Sequence, residues 1–166
     1  MSPHAGLVSR LRATWLSGRT RPLEYRVGQL EALGRFLEDK KQDILEATAL
    51  DMGKPPFEAE LAEISMCRSE LNHTLNNLGA WTKDEHVEKS WATQLDSAFI
   101  RKDPYGVVLI IAPWNYPINL LLVPLPVGAA GLVPCHTRGD CFAVVTAGVE
   151  ETTRLLENKF DYIFFT

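Results

Sequence analysis

The residues that most constrain the fold are the six of Val107–Ala112, VVLIIA, which form a continuous run of mostly branched apolar side chains. A strand with one solvent-exposed face alternates apolar and polar residues, whereas a strand of a parallel sheet covered by helices on both faces does not. We therefore predict a buried parallel strand here. Pro104, Tyr105 and Gly106 predict a turn directly before it.

Two further strands and two helices are predicted after this run. Ala143–Thr146 is a second short strand, and Tyr162–Phe165, within the apolar carboxyl end, is a third and buried one. Leu120–Leu125 and Val149–Asn158 are predicted helices between them. Alternation of strands and helices after an all-helical start predicts an α/β fold class with a parallel sheet.

The first half of the chain has helical periodicity. Its apolar residues recur at three- and four-residue spacing from Leu7, and Pro22 and Pro55 mark new helix starts. Asp43 is a candidate cap for a short helix that Gly53 ends. The predicted organisation is a helical region over 1–81, a linker with an extended segment over 82–106, and an α/β unit over 107–166.

Between the helical region and the strands, two segments have different patterns. Lys83–Ser90 is predicted to be a charged, exposed connection, and Asp96–Lys102 has the composition of a strand.

Composition and charge exclude several classes of protein. The net charge is −4 and no basic stripe is present, which argues against nucleic acid as a partner. The apolar stretch Val107–Val133 is interrupted by prolines and asparagines, so a membrane span is not indicated. Three scattered cysteines fit neither a disulfide framework nor a zinc site. We expect reduced thiols, no metal and a cytoplasmic location.

The loop Ala112–Pro117, APWNYP, follows the first predicted strand. Ligands of parallel α/β sheets bind beyond the carboxyl ends of strands, and this loop offers an amide, an indole and a phenol there. Taken alone, its composition favours a proline-stiffened turn whose aromatic side chains pack on the core. Both interpretations stay open on the residues alone.

A longer stretch around this loop resembles a known family. Asp96–Leu125, DSAFIRKDPYGVVLIIAPWNYPINLLLVPL, is similar to the aldehyde dehydrogenase superfamily, and specifically to the 3B-type members of its class 3 branch. The similarity continues in Arg21–Leu37 and in Cys141–Thr166. It implies part of the Rossmann-like parallel sheet of that fold, so that 107–166 is a partial NAD(P)-binding domain and Asp96–Lys102 part of an oligomerisation arm.

The resemblance implies the NAD(P)-dependent oxidation of aldehydes to carboxylic acids. In that reaction a cysteine thiolate attacks the carbonyl, hydride leaves to NAD or NADP, and a glutamate acts as general base in hydrolysis. Asn115 matches the asparagine whose amide stabilises the oxyanion. Ile111, Ala112, Pro113 and Trp114 are the implied cofactor contacts, and Tyr116 the implied substrate contact.

The chain also departs from the family pattern. After Leu125 the family has a strand and a lysine-proline-serine-glutamate motif, and residues 126–140 contain neither, which predicts an internal deletion. The family's glycine-serine loop, general base and nucleophile would follow Thr166. Cys67, Cys135 and Cys141 lack the nucleophile's context. We therefore expect a truncated amino-terminal fragment that is inactive alone and lacks the adenosine contacts of the cofactor.

Other titratable residues carry no catalytic context. His4, His73 and His86 are isolated, and Glu150 and Glu151 are acids of a helix start, where the helix dipole favours them.

Two alternatives to a dehydrogenase role remain. One is a non-catalytic interaction protein whose helices and arm pair in a homodimer or with a full-length class 3 subunit. The other is a by-product that folds poorly.

Overall fold

The computed structural model describes residues 4–88, 90–91, 95–126 and 141–166. Helices occupy most of its first half, and short strands and helices follow. The helices are α1 (Ala5–Leu16), α2 (Leu23–Asp39), α3 (Lys41–Met52), α4 (Pro56–Ala59), a π-helical segment (Glu60–Ser65), α5 (Met66–Trp81), α6 (Asn119–Leu122) and α7 (Val149–Leu156). The strands are β1 (Glu85–His86), β2 (Phe99–Ile100), β3 (Val108–Ile111) and β4 (Tyr162–Phe165).

The predicted helices of the first half are confirmed, with one local correction. Gly53 ends α3 with φ of 64°, a left-handed conformation that costs glycine little. Asp43 is not the cap of α3, because the helix already begins at Lys41. Its carboxylate lies in the first turn and pairs instead with the ammonium of Lys40 at 2.8 Å.

The helices from α2 to α5 share one apolar core with residues that follow β3. Leu30, Leu37, Ile64 and Leu78 are almost fully buried, which their helical spacing predicts. The division into units over 1–81, 82–106 and 107–166 stays a prediction. The buried cluster contains the following side chains: Leu30, Leu33, Leu37, Ile44, Leu45, Ala59, Ile64, Cys67, Leu71, Leu78, Leu122 and Leu125.

A two-stranded antiparallel arm follows α5. Glu85 of β1 pairs with Ile100 of β2, and His86 pairs with Phe99. The predicted exposed connection Lys83–Ser90 therefore contains a short strand. The strand predicted over Asp96–Lys102 is confined to two residues of β2.

β3 and β4 form a parallel pair, which confirms the central expectation from VVLIIA. Val108 lies opposite Tyr162, and the register continues to Ile111 opposite Phe165. The strand predicted over Ala143–Thr146 is wrong, since those residues are not in a strand. A strand forms only with a neighbour to hydrogen-bond, and none of the described residues provides one there.

The predicted burial of the parallel strands is also wrong. Residues Val108–Ile111 of β3 are only half-buried. In β4, Tyr162, Ile163 and Phe165 are 42%, 46% and 78% exposed because little of the described chain packs over them. The apolar composition therefore predicted the pairing of β3 with β4 but overestimated how much of the two strands is buried.

The two later helices are close to their predicted places. α6 begins one residue before the predicted Leu120 and is shorter, and α7 ends two residues before Asn158. Among the described residues, no helix has both the length and the apolar character that crossing a membrane requires.

Candidate active site

The loop between β3 and α6 places polar and aromatic groups at the surface. The Trp114 side chain is 81% exposed, and Asn115 is also exposed. In the described part of the chain, Asn115 accepts a hydrogen bond through its backbone carbonyl, and its side-chain amide has no hydrogen-bond partner. The amide is therefore available as a donor to a ligand.

A buried lysine bonds the backbone of this loop. The ammonium of Lys54 lies 2.7 Å from Glu63 Oε1 and donates to the backbone carbonyl of Asn115 at 3.0 Å. It also lies 4.0 Å from the ring centroid of Tyr116, within the range of a cation–π contact. One cation thus touches two successive residues of the loop.

The partner of this lysine holds the other end of the loop. Glu63 Oε2 accepts hydrogen bonds from the backbone N–H groups of Ile118 at 3.1 Å and Asn119 at 2.9 Å. The side-chain amide of Asn119 donates to the carbonyl of Ala62 at 2.6 Å. Both carboxylate oxygens of Glu63 are therefore used, and the loop is fixed to the π-helical segment.

Lys54 and Glu63 were not predicted from the sequence. Their side chains are 8% and 0% exposed, which is rare for charged residues unless they are paired. In the sequence, Glu63 resembles its neighbours Glu58 and Glu60, which are not buried. Only the packing of the helices distinguishes it, so no signal in the single sequence identifies the pair.

The predicted cofactor contacts lie at the edge of a cavity of about 630 Å³. Ile111, Ala112, Pro113 and Trp114 line it together with the rest of β3, part of α1 and residues 141–147. Asn115 and Tyr116 are not among its lining residues. The predicted site residues are therefore neighbours in sequence, but only the predicted cofactor contacts line this cavity.

The lining of this cavity fits only part of a nicotinamide dinucleotide. Its described residues are apolar, aromatic or small, which suits a planar ring. None of them is a lysine, arginine or histidine that could pair with the diphosphate. The predicted lack of adenosine contacts concerns residues 127–140, which lie outside the described residues.

The two described cysteines lie in different surroundings. Cys67 is 2% exposed in α5, and burial, followed by the charge of Glu63, raises the pKa of its thiol to about 12. Cys141 is partly buried, and its sulfur lies 2.9 Å from Arg19 Nη2 and 3.3 Å from the Tyr25 hydroxyl. Cys135 lies outside the described residues.

Three other titratable residues considered in the sequence analysis lie in helices. His73 lies in α5 with its ring 5.5 Å from that of Trp81. Glu150 and Glu151 are in the first turn of α7, as expected. Within the residues that the structure describes, no group of three or more histidine, cysteine or acidic side chains could hold a metal.

The beginning of β3 is fixed by a single carboxylate. Asp161 Oδ2 accepts hydrogen bonds from the backbone N–H of Val107 and from Arg12 Nη1, each at 2.8 Å. Gly106, with φ of 123°, lies directly against this carboxylate. The contact aligns β3, and hence the loop that follows it, with β4 and α1.

The sequence profile described as the aldehyde dehydrogenase family matches residues 12–131, a range that includes the whole loop and its buried ion pair. The chain belongs to the aldehyde dehydrogenase family. The resemblance stated from Asp96–Leu125 is thereby confirmed, and the profile match ends within the segment where the departure from the family pattern was predicted.

Curated aldehyde dehydrogenases of family 3 are similar over the whole chain. Family 3 member B1 of Bos taurus is 51% identical over 100% of this chain, and the Homo sapiens member is 49% identical. The chain spans about 40% of the length of these relatives. The bovine alignment has 188 positions for 166 residues, so at least 22 have no counterpart here, which agrees with an internal deletion.

Solved structures give the same assignment of fold. A substrate-bound Staphylococcus aureus AldH matches with a TM-score of 0.93 and 30% identity, covering 99% of this chain and 41% of that one. Glyceraldehyde-3-phosphate dehydrogenase GapN from Methanocaldococcus jannaschii, complexed with NADP, matches with a TM-score of 0.65 and 18% identity. It covers 96% of this chain and 35% of its own. The second likeness concerns the fold alone.

Proposed function

We propose that this chain supplies the oxyanion-binding part of an enzyme that oxidises aldehydes to carboxylic acids with NAD or NADP. The observation that carries the proposal is the geometry of Asn115. Its backbone is held by a buried ion pair, while its side-chain amide is exposed and unpartnered in the described part of the chain. A rigid donor that makes no internal bond is what the stabilisation of a transient negative charge requires.

In the proposed reaction, the Asn115 amide donates to the carbonyl oxygen of the aldehyde while a thiolate attacks its carbon. The oxygen gains negative charge as the tetrahedral thiohemiacetal forms, and the fixed donor lowers the energy of that state. One such donor contributes about 3 kcal/mol in comparable enzymes. Cys67 cannot be the attacking thiolate, since its thiol keeps its proton at neutral pH. We also expect the chain by itself to be inactive.

A nicotinamide dinucleotide, when bound, supplies the acceptor of the hydride that leaves the tetrahedral carbon. Ile111, Ala112, Pro113 and Trp114 are its proposed contacts, supported by their place in the cavity lining, at and directly after the end of β3. Tyr116 is the proposed substrate contact. Membership of the aldehyde dehydrogenase family supports the cofactor class. The proposal covers both NAD and NADP.

The proposed subunit contact is the arm formed by β1 and β2. Phe99 and Ile100 are 44% and 54% exposed on a two-stranded sheet, whose edges have backbone groups available for another strand. A homodimer or a pair with a longer family 3 subunit would cover them. The proposed compartment is the cytosol, supported by the free thiol of Cys67.

A chimera tests the proposed function. Residues 4–126 of this chain would replace the matching part of the bovine family 3 member B1, and the formation of reduced cofactor would be followed with a medium-chain or aromatic aldehyde. We expect the folded chimera to oxidise aldehyde and the chain alone to give no signal above the blank. A folded but inactive chimera would refute the proposal, and so would robust turnover by the chain alone.

A further inference from the structure

We infer that Lys54 and Glu63 are positioning residues for the Asn115 amide, acting through the backbone of the loop. This inference rests on the proposed function, because it assigns the pair a role in that site. It goes beyond it by naming two residues outside the loop, in the helical half of the chain.

The contacts of the pair fall on both sides of the donor. Lys54 bonds the carbonyl of Asn115 itself at 3.0 Å, and Glu63 bonds the N–H groups of Ile118 and Asn119 at 3.1 and 2.9 Å. The intervening peptide units are therefore held between two fixed points. The direction of the Asn115 side chain follows from the backbone at that residue, so the pair limits where the amide points.

The cost of burying the pair indicates that it does more than fill space. Removing an ammonium and a carboxylate from water is expensive, and apolar side chains of similar volume often stabilise a core as well or better. A charged pair has one advantage here, since its atoms satisfy backbone groups that apolar side chains would leave unpaired. Three such groups of this loop bond to Lys54 and Glu63.

Oxyanion stabilisation is sensitive to small displacements of the hydrogen-bond donor. The donor must lie about 2.7–3.1 Å from the position that the charged oxygen occupies in the transition state. A loop that moves by an ångström loses much of this contribution while it still binds the substrate. The pair is therefore expected to act on kcat more than on KM.

A nearby ion pair provides a matched control. Lys41 and Glu60 join α3 to the π-helical segment, as Lys54 and Glu63 join the residues after α3 to it, but the side chains of Lys41 and Glu60 are 38% and 46% exposed. Lys41 and Glu60 bond each other, and in the described part of the chain neither residue bonds the loop. Loss of Lys41 should therefore leave Asn115 in place.

Nuclear magnetic resonance on the isotopically labelled full chain tests the inference. Lys54→Met, Lys54→Arg, Glu63→Gln and Lys41→Met would be compared through the side-chain resonances of Asn115 and through amide hydrogen exchange. We expect Lys54→Met and Glu63→Gln to shift the Asn115 signals and to accelerate exchange at Ile118 and Asn119 by about tenfold or more. Lys54→Arg should restore the signals largely, and Lys41→Met should resemble the parent chain.

Two results would overturn the inference. One is an unchanged Asn115 signal in both Lys54→Met and Glu63→Gln. The other is exchange that accelerates equally throughout α2 and the loop, which would indicate a loss of global stability alone. If Lys54→Met does not fold, Glu63→Gln with Lys54→Arg decides the question. The measurement involves no turnover, so an inactive chimera with a correctly held loop would refute only the proposed function.

Discussion

Replacing Gly106 by alanine should destabilise the chain markedly, because this glycine has two separate roles at the start of β3. Its φ of 123° lies in a region that L residues rarely adopt, at a cost of about 1–3 kcal/mol. A Cβ would also lie 2.3 Å from Asp161 Oδ2, so the carboxylate must move. That movement breaks its hydrogen bond to the Val107 N–H, worth about another 1.5–3 kcal/mol. We expect a total loss of about 3–5 kcal/mol.

Urea unfolding followed by circular dichroism measures this loss, with Gly28→Ala as the control. Gly28 lies in α2, where a Cβ meets nothing within 4 Å. Alanine is favoured over glycine inside a helix, so this control should gain up to about 1 kcal/mol. The two identical substitutions are therefore predicted to have opposite signs. A Gly106→Ala chain within 1 kcal/mol of the parent would show that the turn adapts, and the reasoning would be wrong.

Two further predictions concern buried groups. Iodoacetamide at pH 8 should modify Cys141 and leave Cys67 unmodified, because a thiol with its pKa raised to about 12 is almost fully protonated at that pH. Peptide mass spectrometry identifies the modified thiols, and both should react in urea. Early labelling of Cys67 in the native chain would contradict its burial. Lys54→Met should cost about 3–5 kcal/mol because it leaves the Glu63 carboxylate buried and uncompensated, and adding Glu63→Gln should recover part of this loss. Strict additivity in the double-mutant cycle of unfolding free energies would show that the two groups do not interact.

The predictable part of the fold is the part that local sequence determines. The periodicity of α2 and α5, and the left-handed glycine at the end of α3, depend on residues within a turn or two of one another. Apolar composition was likewise sufficient to identify β3 and β4 and to expect a parallel pairing. Each of these features has a signal in neighbouring residues.

The errors concern features that depend on distant residues. Ala143–Thr146 has the composition of a strand, yet forms none because a strand needs a partner elsewhere in the chain. The exposure of β4 depends on which elements cover it. The pair of Lys54 and Glu63 joins residues that are 61 and 55 positions from their loop contacts, so no local pattern marks it.

The turnover number of the chimera with Asn115→Ala tests the central claim most directly, with Asn76→Ala as a control. Asn76 is an exposed asparagine of α5, so its loss should leave the kinetics unchanged. Removal of an oxyanion donor is predicted to lower kcat by about 10²–10³-fold with little change in KM. An Asn115→Ala chimera with the kcat of the parent would contradict the assignment of Asn115 as the oxyanion donor.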